Sequence, residues 1–554
     1  MNKKTIRLIV LATAILAALY SAKSRDKVNA REMEYFDLVE YLIDEMSIRE
    51  KVGQLFIIEY SDRYDPKDKE FEKLIRRDKI GGIILMEMEI NNYIKSHNRF
   101  QKISDIPLLI SVDGEWGASM RFDTLTQFPR NMQLGALSSP DLVYQVGRVM
   151  ATQFVRLGIH INYAPTIDIN NNPLNPVIGQ RSFGDDREKV ALYGAAIIKG
   201  MQNGGVLASA KHFPGHGDTE TDSHKALPLL PFDRSRLDSL ELYPFRHVIK
   251  EGVEMVMVGH LNVPSLDPTG VPSSISYPII TELLKEELGF KGIVVTDALG
   301  MKGVAENIPS ERIAIESFKA GSDLLLMPPK DRRDAIAAFR KAVRKGEISE
   351  ERVNESLRKI LRMKEYLGLL DGTPYIDPKN VIRQLETPEV HTIINMVAEE
   401  SMTLIKRPGW GPDHNLETLT AIGAADTIIF PKRITKEILE DARNRTKGLD
   451  YVVIYLPEMR APKNDRENYA AIPPQDIYDF ISEWAREQKI VLAIMDNPYA
   501  LEKIEIEAFE GILIGYSSSE ANLSAADKVL RGKLEAHGVL PAAAGGFPTG
   551  YHAE

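Results

Sequence analysis

Eight short apolar runs recur along the chain: Leu55–Ile58, Gly82–Met86, Leu108–Val112, Ile161–Ala164, Leu207–Ala210, Met255–Val258, Ile293–Val295 and Leu324–Met327. None alternates apolar with polar residues, so each reads as a strand buried on both faces. Amphipathic helical stretches separate most of them, as at Pro140–Leu157, Glu188–Asn203, Leu240–Glu251, Ile279–Leu288 and Ser310–Ala320. Eight buried strands in regular alternation with helices predict an α/β fold, a (β/α)8 barrel of the TIM type. Such a barrel also fixes where chemistry can sit, on the loops that leave the carboxyl ends of its strands.

A helical pattern at Tyr35–Met46 opens the folded part, and Ser47 with Glu50 makes a capping-box start for the next helix. At 554 residues the chain is too long for one core. We assign 31–345 to the barrel, 346–388 to a charged helical linker and 389–554 to a second domain. There, strands at Thr427–Phe430, Tyr451–Leu456, Lys489–Met495 and Gly511–Gly515 alternate with helices near Lys436–Thr446, Pro474–Gln488 and Ser519–Arg531. That pattern predicts a smaller three-layer α/β sandwich. Gly515-Tyr516-Ser517-Ser518-Ser519 misses the last glycine of the serine-nucleophile elbow, so no chemistry is assigned there.

Composition removes several classes. There is no cysteine, which excludes disulfides, zinc–thiolate sites and thiol catalysis. A net charge of −10 argues against a nucleic-acid partner. Neither a dinucleotide fingerprint nor a phosphate loop is present. Met1–Arg7 is basic and Leu8–Tyr20 apolar, a pattern of an export signal in residues 1–30, with an uncleaved membrane anchor as the alternative. The expected location is therefore outside the cytoplasm, periplasmic or extracellular in a bacterium.

The strand ends supply the candidate chemistry. Asp113, Glu115, Trp116 and Arg121 follow strand three, Lys211 and His212 follow strand five, His260 ends strand six and Thr296-Asp297 ends strand seven. Asp297 is placed either to attack an electrophilic carbon or to cap the next helix. Asp222 and His224, two apart in the loop from Asp218, form either a proton-transfer dyad or an incidental pair in a solvated loop. A metal reading of His212, His216, Asp218, Asp222 and His224 lacks ligand spacing on a regular element, and Pro214, Gly215 and Gly217 forbid a helix that would align His212 with His216. Asp113 with Arg121, and Arg181, either bind substrate hydroxyls or pair as surface charges.

Taken together, Lys211-His212-Phe213-Pro214-Gly215-His216-Gly217 followed by Asp222-Ser223-His224 resembles the signature of NagZ-type β-N-acetylglucosaminidases of glycoside hydrolase family 3. Val295-Thr296-Asp297-Ala298-Leu299-Gly300-Met301 and Arg181-Ser182-Phe183-Gly184 support it. The resemblance implies Asp297 as nucleophile, His224 as acid/base and Asp222 as its partner. It implies Asp113, Arg121, Arg181, Lys211 and His212 as the residues that hold a terminal N-acetylglucosamine, with neither metal nor cofactor. A tryptophan, Trp116, stands where the family carries a glycine and is expected to stack on a sugar or narrow the pocket. A phosphate-dependent phosphorylase, a β-glucosidase and a non-catalytic carbohydrate-binding protein are the alternatives. Aglycone and oligomeric state are not encoded in these motifs.

Overall fold

The computed structural model describes residues 37–61, 69–223, 225–305, 308–328, 332–410, 414–421, 423–458 and 474–553. The expected export segment, 1–30, lies outside them. No helix among the described residues is long and apolar enough to cross a membrane.

Eight parallel strands form the first sheet: β1 (Phe56–Tyr60), β2 (Gly82–Leu85), β3 (Leu109–Val112), β4 (Ile161–Asn162), β5 (Leu207–Phe213), β6 (Met255–Val258), β7 (Ile293–Thr296) and β8 (Leu325–Leu326). Their order is β7-β6-β5-β4-β3-β2-β1-β8, and a parallel bridge from Val295 to Leu324 closes the ring. Strands β2, β3, β6 and β7 are buried at every position, which is why they read as unbroken apolar runs. Strand β5 runs three residues past the expected end at Ala210, so Lys211 and His212 lie within it. The ladder tolerates them because their polar atoms are partnered across the barrel mouth, as set out below.

Outside the ring the capping box is present, with Ser47 Oγ accepting the Glu50 N–H at 3.4 Å and the Glu50 side chain accepting the Ser47 N–H at 2.9 Å. The helices Arg332–Arg344 and Glu350–Tyr366 lie in the segment expected to end the barrel and link onward; Phe339, Ile360 and Met363 join its hydrophobic core. Phe339 meets Phe56 and Phe318 edge-on at 5.7 and 5.1 Å.

The second sheet has five strands where four were expected. β10 (Ala425–Ile429), β11 (Tyr451–Pro457), β12 (Lys489–Met495) and β13 (Gly511–Ile514) are parallel neighbours, and β9 (Thr403–Lys406) adds an antiparallel edge on β13. Side-chain alternation along β11 sends Val452, Ile454 and Leu456 to one layer and Tyr451, Val453 and Tyr455 to the other. Helices Lys436–Arg445 and Pro474–Glu487 cover the first face, and Pro388–Ser401, Leu416–Ala421 and Glu520–Leu530 the second. The result is the three-layer sandwich.

Candidate active site at the barrel mouth

The carboxyl ends of β3, β4 and β5 converge on one chain of charges. Arg121 Nη2 lies 3.2 Å from one oxygen of Asp113, and Lys211 Nζ 2.9 Å from the other. Lys211 is also 2.9 Å from Glu115 Oε1. Glu115 in turn receives Arg181 through two parallel bonds, Nε at 2.9 Å and Nη2 at 2.8 Å. Arg181 Nη2 reaches His212 Nε2 at 3.4 Å, and His212 Nδ1 donates to Asp168 Oδ2 at 2.7 Å. All five residues expected to hold a terminal sugar are therefore in contact with one another or with a shared partner.

Burial makes this pairing necessary. Lys211 and Glu115 are 2% and 5% exposed, and an unpaired charge there would be prohibitive. Desolvation raises the Glu115 pKa, but Arg181 and Lys211 outweigh it and hold the carboxyl far below the usual range. Burial likewise pulls Lys211 down, and Asp113 with Glu115 more than restores its charge. Three cations, Arg121, Lys211 and Arg181, thus pair with Asp113 and Glu115, and His212 with Asp168, around a mouth where Asp113, Arg121 and Arg181 keep partial solvent access.

Asp168 and Glu115 carry most of this wiring; Glu115 was named as a strand-end candidate but given no role, and Asp168 was not named. Asp168 is 1% exposed and accepts the N–H groups of His212 and His216 besides the imidazole proton. It follows β4 by the same strand-end logic as the others, but Pro165 and a short extended stretch separate it from the apolar run. The Pro-Gly-His-Gly turn is forced by crowding: Gly215 has φ +130°, and a Cβ on Gly217 would sit 1.7 Å from the Ile169 carbonyl oxygen. Although no helix aligns them, His212 and His216 have ring centroids 5.8 Å apart because both strap onto Asp168. His212 Nδ1 is spent on Asp168, His216 Nδ1 on Thr219, and Asp218 on Arg236 and Asn171, which leaves this group poorly suited to a cation.

Asp297 stands directly after β7, its N–H donating to Val258 O at the end of β6. Among the described residues its Oδ1 accepts the N–H of the adjacent Ala298, at 2.7 Å, and not an N–H of the next helix, Lys302–Ala305. Burial raises its pKa, and His260, His212, the Ala298 N–H and Lys211 outweigh that, so the carboxyl is held ionised below its ordinary value while keeping partial solvent access. His260 steadies the turn: Ser274 Oγ lies 2.6 Å from Nδ1, and Nε2 donates to the Ala298 carbonyl at 3.0 Å.

His224 lies outside the described residues. Its neighbours are held on the segment after β7 and by a local turn: the Gly303 N–H donates to Ser223 O at 3.1 Å, and the Lys225 and Ala226 N–H groups donate to Asp222 O at 2.8 and 3.1 Å. A Cβ on Gly303 would lie 3.0 Å from Ser223 O, a tight contact that glycine relieves. Trp116 does not offer a free face on both sides, because the Arg130 guanidinium sits 4.8 Å from its ring centroid.

A parallel barrel with an ionised carboxylate directly after β7 and a buried cluster of paired charges at the same strand ends has the arrangement of an α/β-barrel enzyme site. Residues 47–363 match the Glycosyl hydrolase family 3 N terminal domain, and the chain belongs to that family. It is 36% identical over 330 residues to beta-hexosaminidase A of Pseudoalteromonas piscicida, a match covering 54% of this chain and 55% of that protein. It is 33% identical over 376 residues to a beta-N-acetylglucosaminidase/beta-glucosidase of Cellulomonas fimi, covering 66% of each. The chain thus spans between about half and two thirds of these curated relatives. A solved family 3 beta-N-acetylglucosaminidase from Paenibacillus sp. str. FPU-7 superposes with a TM-score of 0.77 at 30% identity, covering 90% of this chain and 99% of that one.

Proposed function

We propose that this protein is a retaining exo-β-N-acetylglucosaminidase that removes terminal non-reducing β-linked N-acetylglucosamine from a small carbohydrate. The observation that carries the reading is the dense pairing of charge at the mouth. Arg121, Lys211 and Arg181 paired with Asp113 and Glu115 suit a ligand rich in hydroxyl groups, since the partly exposed members keep spare donors or acceptors while their charges are compensated. In this reading Asp113, Arg121, Arg181, Lys211 and His212 hold the terminal sugar.

Asp297 then attacks the anomeric carbon as His224, steadied by Asp222, protonates the departing glycosidic oxygen. A glycosyl-aspartate ester forms and the aglycone leaves. His224, now neutral, takes a proton from water, whose oxygen attacks the same carbon and frees the Asp297 carboxylate. Support for this division comes from the depressed pKa of Asp297, which keeps a nucleophile ionised at neutral pH, and from the bond that ties Ser223, next to His224, to Gly303 on the segment after β7. An exported location is proposed on the basic and apolar pattern of Met1–Tyr20, and fractionation with N-terminal sequencing checks it.

The test of substrate and acceptor is turnover of chromogenic β-N-acetylglucosaminide, β-glucoside and β-xyloside, each with and without phosphate. The reading requires the N-acetylated substrate to lead by kcat/KM and phosphate to leave the free sugar as product. Sugar 1-phosphate release replaces it with the phosphorylase, and a leading β-glucoside with a glucosidase.

A further inference from the structure

Residues on both sides of Arg181 are held by the second domain. Tyr499, just past β12, receives Asn170 Nδ2 on its hydroxyl at 2.7 Å and donates to Asn170 O at 3.3 Å. Asn170 Oδ1 accepts the Gly179 N–H at 3.0 Å. Gln180 Nε2 donates to Glu458 at the end of β11, at 3.2 Å, and to Asp496 at the end of β12, at 3.1 Å. Beyond Arg181, the Asp185 carboxylate accepts the Ala543 N–H at 2.9 Å and the Thr549 hydroxyl at 2.6 Å. Gly184 is pressed so close that a Cβ would lie 2.0 Å from Pro541 O.

The turn Gly179–Arg181 is three residues of 3-10 winding with no side-chain cap. From the barrel it is held by Asn131 Nδ2 on the Arg181 carbonyl at 2.7 Å and by Arg130 Nη1 on Gln180 Oε1 at 2.6 Å, and Arg130 itself reaches Glu458 at 3.2 Å. A guanidinium needs its backbone fixed to keep two parallel bonds on one carboxylate, and here part of that anchoring, through Asn170 to residue 179 and directly to residue 180, comes from the sandwich. We infer that the second domain is a positioning element of the sugar site, with Tyr499 and Glu458 setting the Gly179–Arg181 turn and so the reach of Arg181. This rests on Arg181 as a sugar-binding residue. Carboxyl ends of parallel strands are where a doubly wound sheet places its functional groups, and in this chain those ends point at the neighbouring barrel.

The test uses the full chain and whichever β-glycoside the wild type turns over fastest. Tyr499→Phe removes one hydroxyl and Glu458→Gln one charge. Each is expected to raise KM about fivefold or more with kcat little changed, the signature of lost uniform binding. Thermal midpoints should stay near wild type. Placed on Arg181→Lys, Tyr499→Phe should add almost nothing, because both act through one group. Ser401→Ala, which breaks the seam bond from Gln133 Nε2 at 3.0 Å but not the Arg181 turn, should leave KM unchanged. Unaltered KM in Tyr499→Phe and Glu458→Gln with Arg181→Lys impaired overturns the inference alone. Full additivity with Arg181→Lys, or an equal effect of Ser401→Ala, also overturns it. Unaltered KM in Arg181→Lys overturns the sugar-binding reading along with it.

Discussion

Asp168 and His212 are joined twice: the carboxylate takes the imidazole Nδ1 proton at 2.7 Å and the His212 backbone N–H at 3.2 Å. With Nδ1 turned to Asp168, Nε2 faces Arg181 Nη2, 3.4 Å away. The orientation of the ring is thus set by a carboxylate only 1% exposed.

Asp168→Asn replaces one acceptor with a donor among three converging N–H groups. The imidazole should lose its enforced tautomer and Arg181 its partner. We expect kcat/KM to fall by at least about tenfold, roughly 1.4 kcal/mol of transition-state binding. Steady-state kinetics check this, and His212 proton shifts by NMR should report the tautomer change.

Glu115→Gln leaves Arg181 and Lys211 facing each other in a nearly dry site with one carboxylate fewer. Breaking a buried pair of this kind costs about 3–5 kcal/mol, and urea denaturation should show a loss of that order. KM should rise as well, because the amide keeps only one acceptor and Arg181 loses at least one of the two bonds that aim it.

Acid should destabilise the fold in two stages. Burial lowers His97 to about 4, His160 to about 3 and His216 to about 4, below the unfolded value near 6.5. His160 Nδ1 also accepts the Ile110 N–H at 2.9 Å, which requires the neutral ring. Between pH ~6.5 and those values the unfolded chain binds more protons, so stability present above pH ~6.5 is lost as pH falls. Below pH ~4 the depressed carboxyls Glu115, Asp168, Asp297 and Asp323 continue the loss in the same direction. The urea midpoint from pH 7 to 4 measures it, and a flat profile would contradict the burial of these rings.

The floor of the barrel should be separable from its mouth. Asp323, 1% exposed before β8, accepts the Val294 N–H at 3.1 Å, Ser356 Oγ at 2.6 Å and Lys359 Nζ at 3.1 Å, with Lys285 and Arg352 each at 3.6 Å. Asp323→Ala strands those cations and should cost about 3–5 kcal/mol. Turnover by the folded fraction should be unchanged, since Asp323 lies at the opposite end of the strands from Asp297.

The barrel was legible because its strands are buried on both faces; Met255–Val258 matches to the residue. What escaped was set by partners distant in sequence. Lys211 and His212 looked like the end of a strand because charge is costly in a ladder, and only Asp113, Glu115 and Asp168 make it tolerable. Asp168 was hidden by the Pro165 break after β4. Thr403–Lys406 went unread as an edge strand, being short and antiparallel to neighbours that follow a parallel pattern. The motif residues themselves were legible, whereas the wiring that orients them was not, and the contribution of Glu458, Asp496 and Tyr499 to the Arg181 turn has no local signal.

The central claim is that Asp297 becomes covalently glycosylated during turnover. Incubation with a ring-fluorinated β-N-acetylglucosaminyl fluoride, followed by intact mass and peptide mapping, tests it most directly. The account predicts a single glycosyl adduct on the peptide that contains Asp297, absent in Asp297→Asn, with the β-anomer as first product by NMR. An adduct on another side chain, or first release of the α-anomer, would contradict it.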